Sequence, residues 1–185
     1  MLISKEYRKL NEDLHKSNRN FGAKGWKQVD FVHEKFINAY GLKTLLDYGC
    51  GKATLSTALK AKYGLDVDKY DPCVPEYSDH PTKTYQGVIC NDMMEHIEPE
   101  LLDGVFQDIR NLSSLLVYMK IGICPSNKTL ADGRNAHLII ESSEWWKERI
   151  TKAGFVILET LETEKDSTDP KLIFYTVICS KGLPQ

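Results

Sequence analysis

Leu45-Leu46-Asp47-Tyr48-Gly49-Cys50-Gly51 decides how this chain is read, because an apolar run ends in an acid and then in two alternating glycines. That pattern describes a strand that stops abruptly beneath a ligand. Lys43 to Tyr48 reads as a buried strand, and Lys52 to Tyr63 carries Ala53, Leu55, Ala58, Leu59 and Ala61 at helical spacing. The glycines therefore occupy a strand-to-helix turn, where a side chain would strike the chain or the ligand and where a positive φ costs glycine little. Turns of this kind also occur with no ligand at all.

A second strand narrows the choice. Leu65 to Tyr70 precedes Asp71-Pro72, so a carboxylate stands at a strand end roughly 20 residues after the glycines, as in α/β folds that grip a ribose diol. Two ligands suit this arrangement, a dinucleotide or S-adenosylmethionine. A dinucleotide needs a third glycine so that the helix can close on the pyrophosphate, and Thr54-Leu55 stands there instead. S-adenosylmethionine carries no phosphate and needs only close backbone approach and a ribose-binding acid. Gln86 to Asp92 is another short strand with polar residues at its carboxyl end, and Met93-Met94-Glu95-His96-Ile97-Glu98-Pro99 follows directly.

With LDYGCGK at 46–52, the acid Asp71 and EHI at 95–97, the chain resembles the class I S-adenosylmethionine-dependent methyltransferases. A narrower resemblance spans nearly the whole chain, to a methyltransferase-like group of bacterial and bacteriophage proteins. It rests on LHKSNRNFG (14–22), YDP (70–72), EHIEP (95–99), DGRNAHL (132–138) and the pair Trp145-Trp146. The resemblance implies a Rossmann-like α/β sheet with helices on both faces and a closing antiparallel hairpin, with S-adenosylmethionine as cofactor. It implies cofactor contacts from Asn91, Asp92 and Met93 after the fourth family strand, although Asp92 could instead cap the next helix.

Composition fits one domain, residues 1–185, with 1–41 as a helical cap and 42–185 as the α/β core. The chain is 42% hydrophobic and 27% charged, ordinary for a globular protein. A net charge of -2 gives no electrostatic case for nucleic acid, whose binders show a basic excess or stripe. The five cysteines, Cys50, Cys73, Cys90, Cys124 and Cys179, show no C-x-x-C spacing. They read as buried thiols of a reducing compartment, implying neither zinc nor a disulfide framework. No apolar run approaches the length of a membrane span and no signal-peptide core is visible, so the expectation is a cytoplasmic protein without a membrane partner.

Ser4 to Lys16, capped by Ser4, and Gly25 to Tyr40 read as helices covering the sheet edge and the cofactor mouth. Between Asp71 and Gln86 the chain is short and carries Pro72, Pro75 and Pro81, leaving no room for helix, strand and helix. The third strand is therefore expected to be trimmed or absent, with loop 72–83 walling the adenine pocket. Glu100 to Asn111 reads as a helix, Leu115 to Ile121 as a central strand, and Ser142 to Ala153 as a helix capped by Ser142 or Ser143 and stopped by Gly154. Phe155 to Thr160 and Leu172 to Cys179 read as strands joined by a polar hairpin loop, 162–170. The adjacent Trp145 and Trp146 cannot share a helix face, so one belongs in the core and the other toward loop 123–137.

Residue roles follow from placement. Asp71 would accept hydrogen bonds from ribose hydroxyls, or merely shape the turn before Pro72, which joins it in walling the ligand. Gly49 and Gly51 would let the backbone approach the methionyl part, with Tyr48 and Cys50 lending backbone groups, unless the turn is bare. Asp47 would hold the turn or reach the cofactor ammonium through water. For the methyl acceptor, Arg134 could clamp a carboxylate or phosphate and His137 has the intrinsic pKa to remove a proton, unless both brace the loop. The family resemblance implies packing and capping for Glu95 and His96, with a catalytic role as the alternative, and His15 and Arg19 read as closing over the substrate or pinning the N-terminal helices. Methyl transfer from a sulfonium gains mainly from alignment and exclusion of water, so no metal is expected. The expected activity is methylation of a small molecule at oxygen or nitrogen. The alternatives are a non-catalytic binder of S-adenosylmethionine or S-adenosylhomocysteine and, disfavoured by charge and by the missing D/N-P-P-aromatic motif, a nucleic-acid methyltransferase. Oligomeric state is open, since no helix shows a sustained heptad.

Overall fold

The computed structural model describes residues 1–161, 165–166 and 169–181. A single sheet organises them. Strands β1 (Leu45–Tyr48), β2 (Asp68–Tyr70), β3 (Tyr85–Asn91), β4 (Ser113–Gly122), β5 (Phe155–Leu161) and β7 (Asp169–Lys181) lie in the order β2-β1-β3-β4-β7-β5, with the short β6 (Lys165–Asp166) beside β7. The first four are mutually parallel. β7 runs antiparallel to both its neighbours, with Tyr118 of β4 opposite Ile178 and Ile157 of β5 opposite Cys179, and β5 with β7 forms the closing pair.

Period-two alternation divides the strand side chains between two cores. Leu46, Val88, Val117, Met119 and Val177 face one, with Trp146, Phe106 and Ile109 from helices α4 (Leu102–Leu112) and α5 (Ser143–Lys152). Leu45, Ile89, Tyr118 and Ile178 face the other, with Leu55 and Leu59 of α3 (Thr54–Tyr63) and with Val32 and Phe36 from the helical segment 25–38. That segment is one irregular helix: a 3₁₀ turn at Gly25–Gln28, the α-helical turn α2 (Val29–Val32) and a π-helical stretch at His33–Asn38.

Caps stand where the sequence places them. Ser4 accepts from the Tyr7 N–H at the start of α1 (Lys5–Ser17), and Ser142 accepts from the Trp145 N–H at the start of α5. Trp146 is fully buried, while Trp145 is half-buried against it, the rings 5.1 Å apart and edge to face.

Between Asp71 and Tyr85 there is no strand, only a 3₁₀ turn at Pro75–Tyr77. The trimmed sheet leaves β2 as an edge. Its exposed residues are charged, and Lys83 of the following loop pairs with Asp68 at 2.9 Å, which discourages pairing with a further strand. All five cysteines are buried free thiols. Of the expected hairpin loop 162–170, residues 162–164 and 167–168 lie outside the described residues, and Lys165–Asp166 pairs with β7. Among the described residues no helix is long and apolar enough to cross a membrane.

Because Trp146 locks α5 onto the sheet, Trp146→Ala should cost about 3–5 kcal/mol of unfolding free energy. Urea unfolding measures it, and a loss below about 1 kcal/mol, the range of surface substitutions, would contradict this packing.

Candidate functional site

The carboxyl ends of β1, β2 and β3 open into one cavity of about 280 Å³. All ten residues expected to hold a cofactor line it: Asp47 to Gly51, Asp71 with Pro72, and Asn91 to Met93. Chain segments far apart in sequence meet here because parallel strands all point their ends at the same sheet edge.

The glycine turn is held from two sides. The Gly51 N–H donates to Asp71 Oδ2 at 2.9 Å, while the Cys73 N–H donates to Asp71 Oδ1 at 2.8 Å. Asp71 therefore shapes its own turn and orients the neighbouring one, with lone pairs left on both oxygens. From the opposite side, the Lys52 N–H donates to the Gly22 carbonyl at 2.8 Å and Lys52 Nζ donates to the Asn18 carbonyl at 2.9 Å. A Cβ at Gly51 would lie 2.7 Å from the Gly22 oxygen, and its φ is +53°. The N-terminal segment, beyond any ligand, is thus what demands glycine at 51.

Asp47 points from β1 toward α3, where Ser56 donates to its carboxylate at 2.5 Å. Burial pushes the Asp47 carboxyl up to about 6, with the Asp71 carboxylate adding to the rise. Asn91 Oδ1 and His15 Nδ1 also line the cavity, buried and without a hydrogen-bond partner. Asp92 does not cap a helix. It adopts φ +60°, a rare conformation for a residue with a side chain, and its N–H donates to the Lys120 carbonyl at 2.8 Å.

Helix α1 roofs the cavity. Tyr7 donates its hydroxyl to the His96 carbonyl at 2.6 Å, Arg8 Nε donates to the Pro72 carbonyl at 2.6 Å, and the Ser4 N–H donates to Glu98 at 2.8 Å. His15, Phe21 and His96 form a chain of ring contacts at 4.7 and 5.5 Å. Of the LHKSNRNFG stretch, His15, Asn20, Phe21 and Gly22 reach the cavity, but Arg19 does not.

The DGRNAHL loop divides. His137 lines the cavity, buried, with its Nδ1 2.6 Å from the Cys124 carbonyl, and burial holds its pKa below the ordinary value. Arg134 is not brought there. It is exposed, paired with Asp132 at 2.7 Å and laid over the outside of Tyr7, so its guanidinium closes the loop locally. Glu95 and His96 do more than pack and cap, and sequence reasoning missed their meeting with the His137 loop: the Glu95 carboxylate is fully buried against His137, and the Glu95 carbonyl accepts from the Leu138 and Ile139 N–H groups.

The raised Asp47 pKa has a signed consequence. Its folded value lies above the unfolded one, so the carboxyl favours the fold below pH 4, and that contribution is lost as pH rises through 6. The stability of Asp47→Asn relative to the unaltered protein should rise by about 2 kcal/mol between pH 4 and pH 7. Denaturant unfolding across that range measures it, and a flat difference would refute the buried carboxyl whose desolvation outweighs its Ser56 hydrogen bond.

Comparison with known proteins follows the same outline. By sequence, no curated protein matches. Among solved structures, the 1,6-didemethyltoxoflavin-N1-methyltransferase of Burkholderia thailandensis, bound to 1,6-didemethyltoxoflavin and S-adenosylhomocysteine, superposes with a TM-score of 0.70 at 13% identity, covering 96% of this chain and 90% of that one. The magnesium protoporphyrin IX methyltransferase of Synechocystis PCC 6803 with bound S-adenosylhomocysteine gives 0.61 at 16% identity, covering 85% and 83%. Identities this low establish a shared fold, the Rossmann-like class I methyltransferase sheet. A family model described as a methyltransferase domain matches residues 26–160, and the chain belongs to that family.

Proposed function

We propose that this protein binds S-adenosylmethionine in the cavity at the ends of β1 to β3 and delivers its methyl group to an oxygen or nitrogen of a small molecule. The observation that carries the reading is the convergence of both carboxylates, Asp47 and Asp71, with the glycine turn and the unpartnered Asn91 Oδ1 on one roofed cavity. These groups suit the cofactor: acids for a ribose diol and an ammonium, a backbone free of side chains, and an acceptor with no partner of its own. The bound cofactor supplies an electrophilic sulfonium methyl.

The chain's part is to bind, align and exclude water. Asp71, fixed by the Gly51 and Cys73 N–H groups, offers its remaining lone pairs to the ribose. Gly49 and Gly51 keep the methionyl path clear, and α1 with the segment around Gly22 closes over it. On the acceptor side His137, rather than Arg134, is the loop residue in reach. A carbonyl only accepts, so its Nδ1 bears the hydrogen toward Cys124 and its Nε2 presents a lone pair to the cavity region.

A small acceptor agrees with the roofed cavity and with the names of two structurally similar enzymes, which act on a toxoflavin precursor and on a magnesium porphyrin. A net charge of -2 offers no electrostatic footprint for nucleic acid. Membership of the narrower bacterial and bacteriophage group, a single domain over 1–185 and a cytoplasmic location complete the reading.

Calorimetric titration with S-adenosylhomocysteine tests the cofactor half. Asp71→Ala should weaken binding by about 1.5–3 kcal/mol, the loss of a charged hydrogen bond, and tighter binding of a nicotinamide dinucleotide would reverse the assignment. Turnover of a metabolite pool tests the acceptor half. His137→Ala should lower it by about a hundredfold with cofactor affinity intact. Binding with no turnover on any acceptor would leave a non-catalytic binder.

A further inference from the structure

We propose that Glu95, His96 and His137, assisted by Asp92, form a binding site for one divalent first-row transition-metal ion at the acceptor end of the cavity. Glu95 and His96 lie in the 3₁₀ turn Met94–His96 after β3, and His137 lies in the loop after β4. One ligand atom from each of the three stands within 4.8 Å of the others.

Both imidazoles are prepared as ligands. His96 Nδ1 lies 2.7 Å from the Ala136 carbonyl and His137 Nδ1 lies 2.6 Å from the Cys124 carbonyl. Each carbonyl can only accept, so each Nδ1 carries a hydrogen and each Nε2 keeps its lone pair. Backbone oxygens that fix ring and tautomer in this way are the usual support of metal-binding histidines.

The carboxylate is oriented in the same manner. Glu95 Oε1 accepts from the Gly122 N–H at 2.7 Å, and Glu95 Oε2 is buried without a partner. A Cβ at Gly122 would lie 2.6 Å from Glu95 Oε1 and 2.8 Å from His137 Cε1, so the glycine there makes room for this cluster. His137 Nε2 and Glu95 Oε1 are 3.9 Å apart, too far for a hydrogen bond. Two bonds of about 2.0–2.2 Å to a shared ion span that gap, and a small inward swing of the side chains closes the wider separations. The fully buried Glu95 carboxyl and the neighbouring Asp92 carboxylate bring two acids to one spot, and a cation is the partner that would let both ionise there.

Two imidazoles with carboxylates select a first-row transition ion such as Co²⁺, Zn²⁺ or Mn²⁺ over Mg²⁺ or Ca²⁺, which prefer all-oxygen shells. His96, His137 and Asp92 line the cavity while Glu95 lies behind them, so open coordination positions would face the acceptor. The ion-binding site stands whether or not a methyl is transferred. Its consequence rests on the methyl-transfer reading: an acceptor hydroxyl on the ion would lose its proton more readily, with His137 as ligand in place of base.

The chelator-treated protein, residues 1–185, should bind one Co²⁺ or Zn²⁺ per chain by calorimetry, and the Co²⁺ form should show ligand-field absorption without a thiolate charge-transfer band. Glu95→Gln and His137→Asn should each weaken binding by about a hundredfold, and the exposed Asp92→Asn by about tenfold, while Arg134→Ala leaves it unchanged. Thermal unfolding in chelator shows which variants fold, and Asp92→Asn carries the comparison if the buried substitutions do not. S-adenosylhomocysteine affinity is measured separately, so loss of the cofactor reading and loss of the metal reading are distinct results. Absence of micromolar binding to the unaltered protein, binding indifferent to all three variants, or a thiolate band would each overturn the site.

Discussion

The turn at Gly49 to Lys52 is the point on which the rest of the site depends, and two hydrogen bonds fix it. Gly51 gives its N–H to the Asp71 carboxylate and Lys52 gives its N–H to the Gly22 carbonyl. One ties the ends of β1 and β2 together, and the other ties the N-terminal segment to the sheet. Asp71 is buried, so the charge-assisted bond from Gly51 works at reduced dielectric, where it is stronger than at the surface and where losing it leaves an unsatisfied group. A cavity with a roof results because the N-terminal segment that closes it is fastened, through Lys52 and the Gly22 carbonyl, to the same turn that forms the floor.

Much of this was legible along the chain, and what was legible was local. The LDYGCGK run, the serine caps at Ser4 and Ser142 and the proline-rich segment 72–81 each act within a few residues, through propensity, capping and excluded φ, so the sequence displays them directly. The helix at 25–38 was legible as an element but not in its mixture of 3₁₀, α and π turns, because packing of Val32 and Phe36 under the sheet sets that pitch. The absent third strand followed from the shortness of the segment after Asp71 and its three prolines.

Illegible features all depend on residues that meet only in space. That Gly51 is glycine because Gly22 lies against it requires the N-terminal segment to be placed first. Arg134 and His137 are three residues apart and were read together as one polar wall. The bridge between Thr129 and Asn135 and the pairing of Arg134 with Asp132 turn the first outward, while the Cys124 carbonyl draws the second in. Glu95 and His96 resemble capping residues until Gly122 and His137 arrive from β4 and its loop. An isolated glycine at the end of a strand, such as Gly122, was the one signal available for a close approach there.

The two halves of the cavity are built from different materials, and that difference bears on what can vary. The cofactor half is made of backbone: glycines, turn N–H groups, and a carboxylate whose oxygens are tied to those N–H groups. Substitution there disturbs the chain itself, so the half is constrained by folding before any ligand is considered. The acceptor half is made of side chains, which the main chain orients through the Ala136 and Cys124 carbonyls and the Gly122 N–H. Side chains can be exchanged without moving the strands that carry them. His137 shows the consequence most clearly, since its single available lone pair can take a proton or hold an ion but not both at once. Whichever it does, the ring position is set by the same carbonyl, and the chemistry at the acceptor is decided by what occupies the space between it and Glu95.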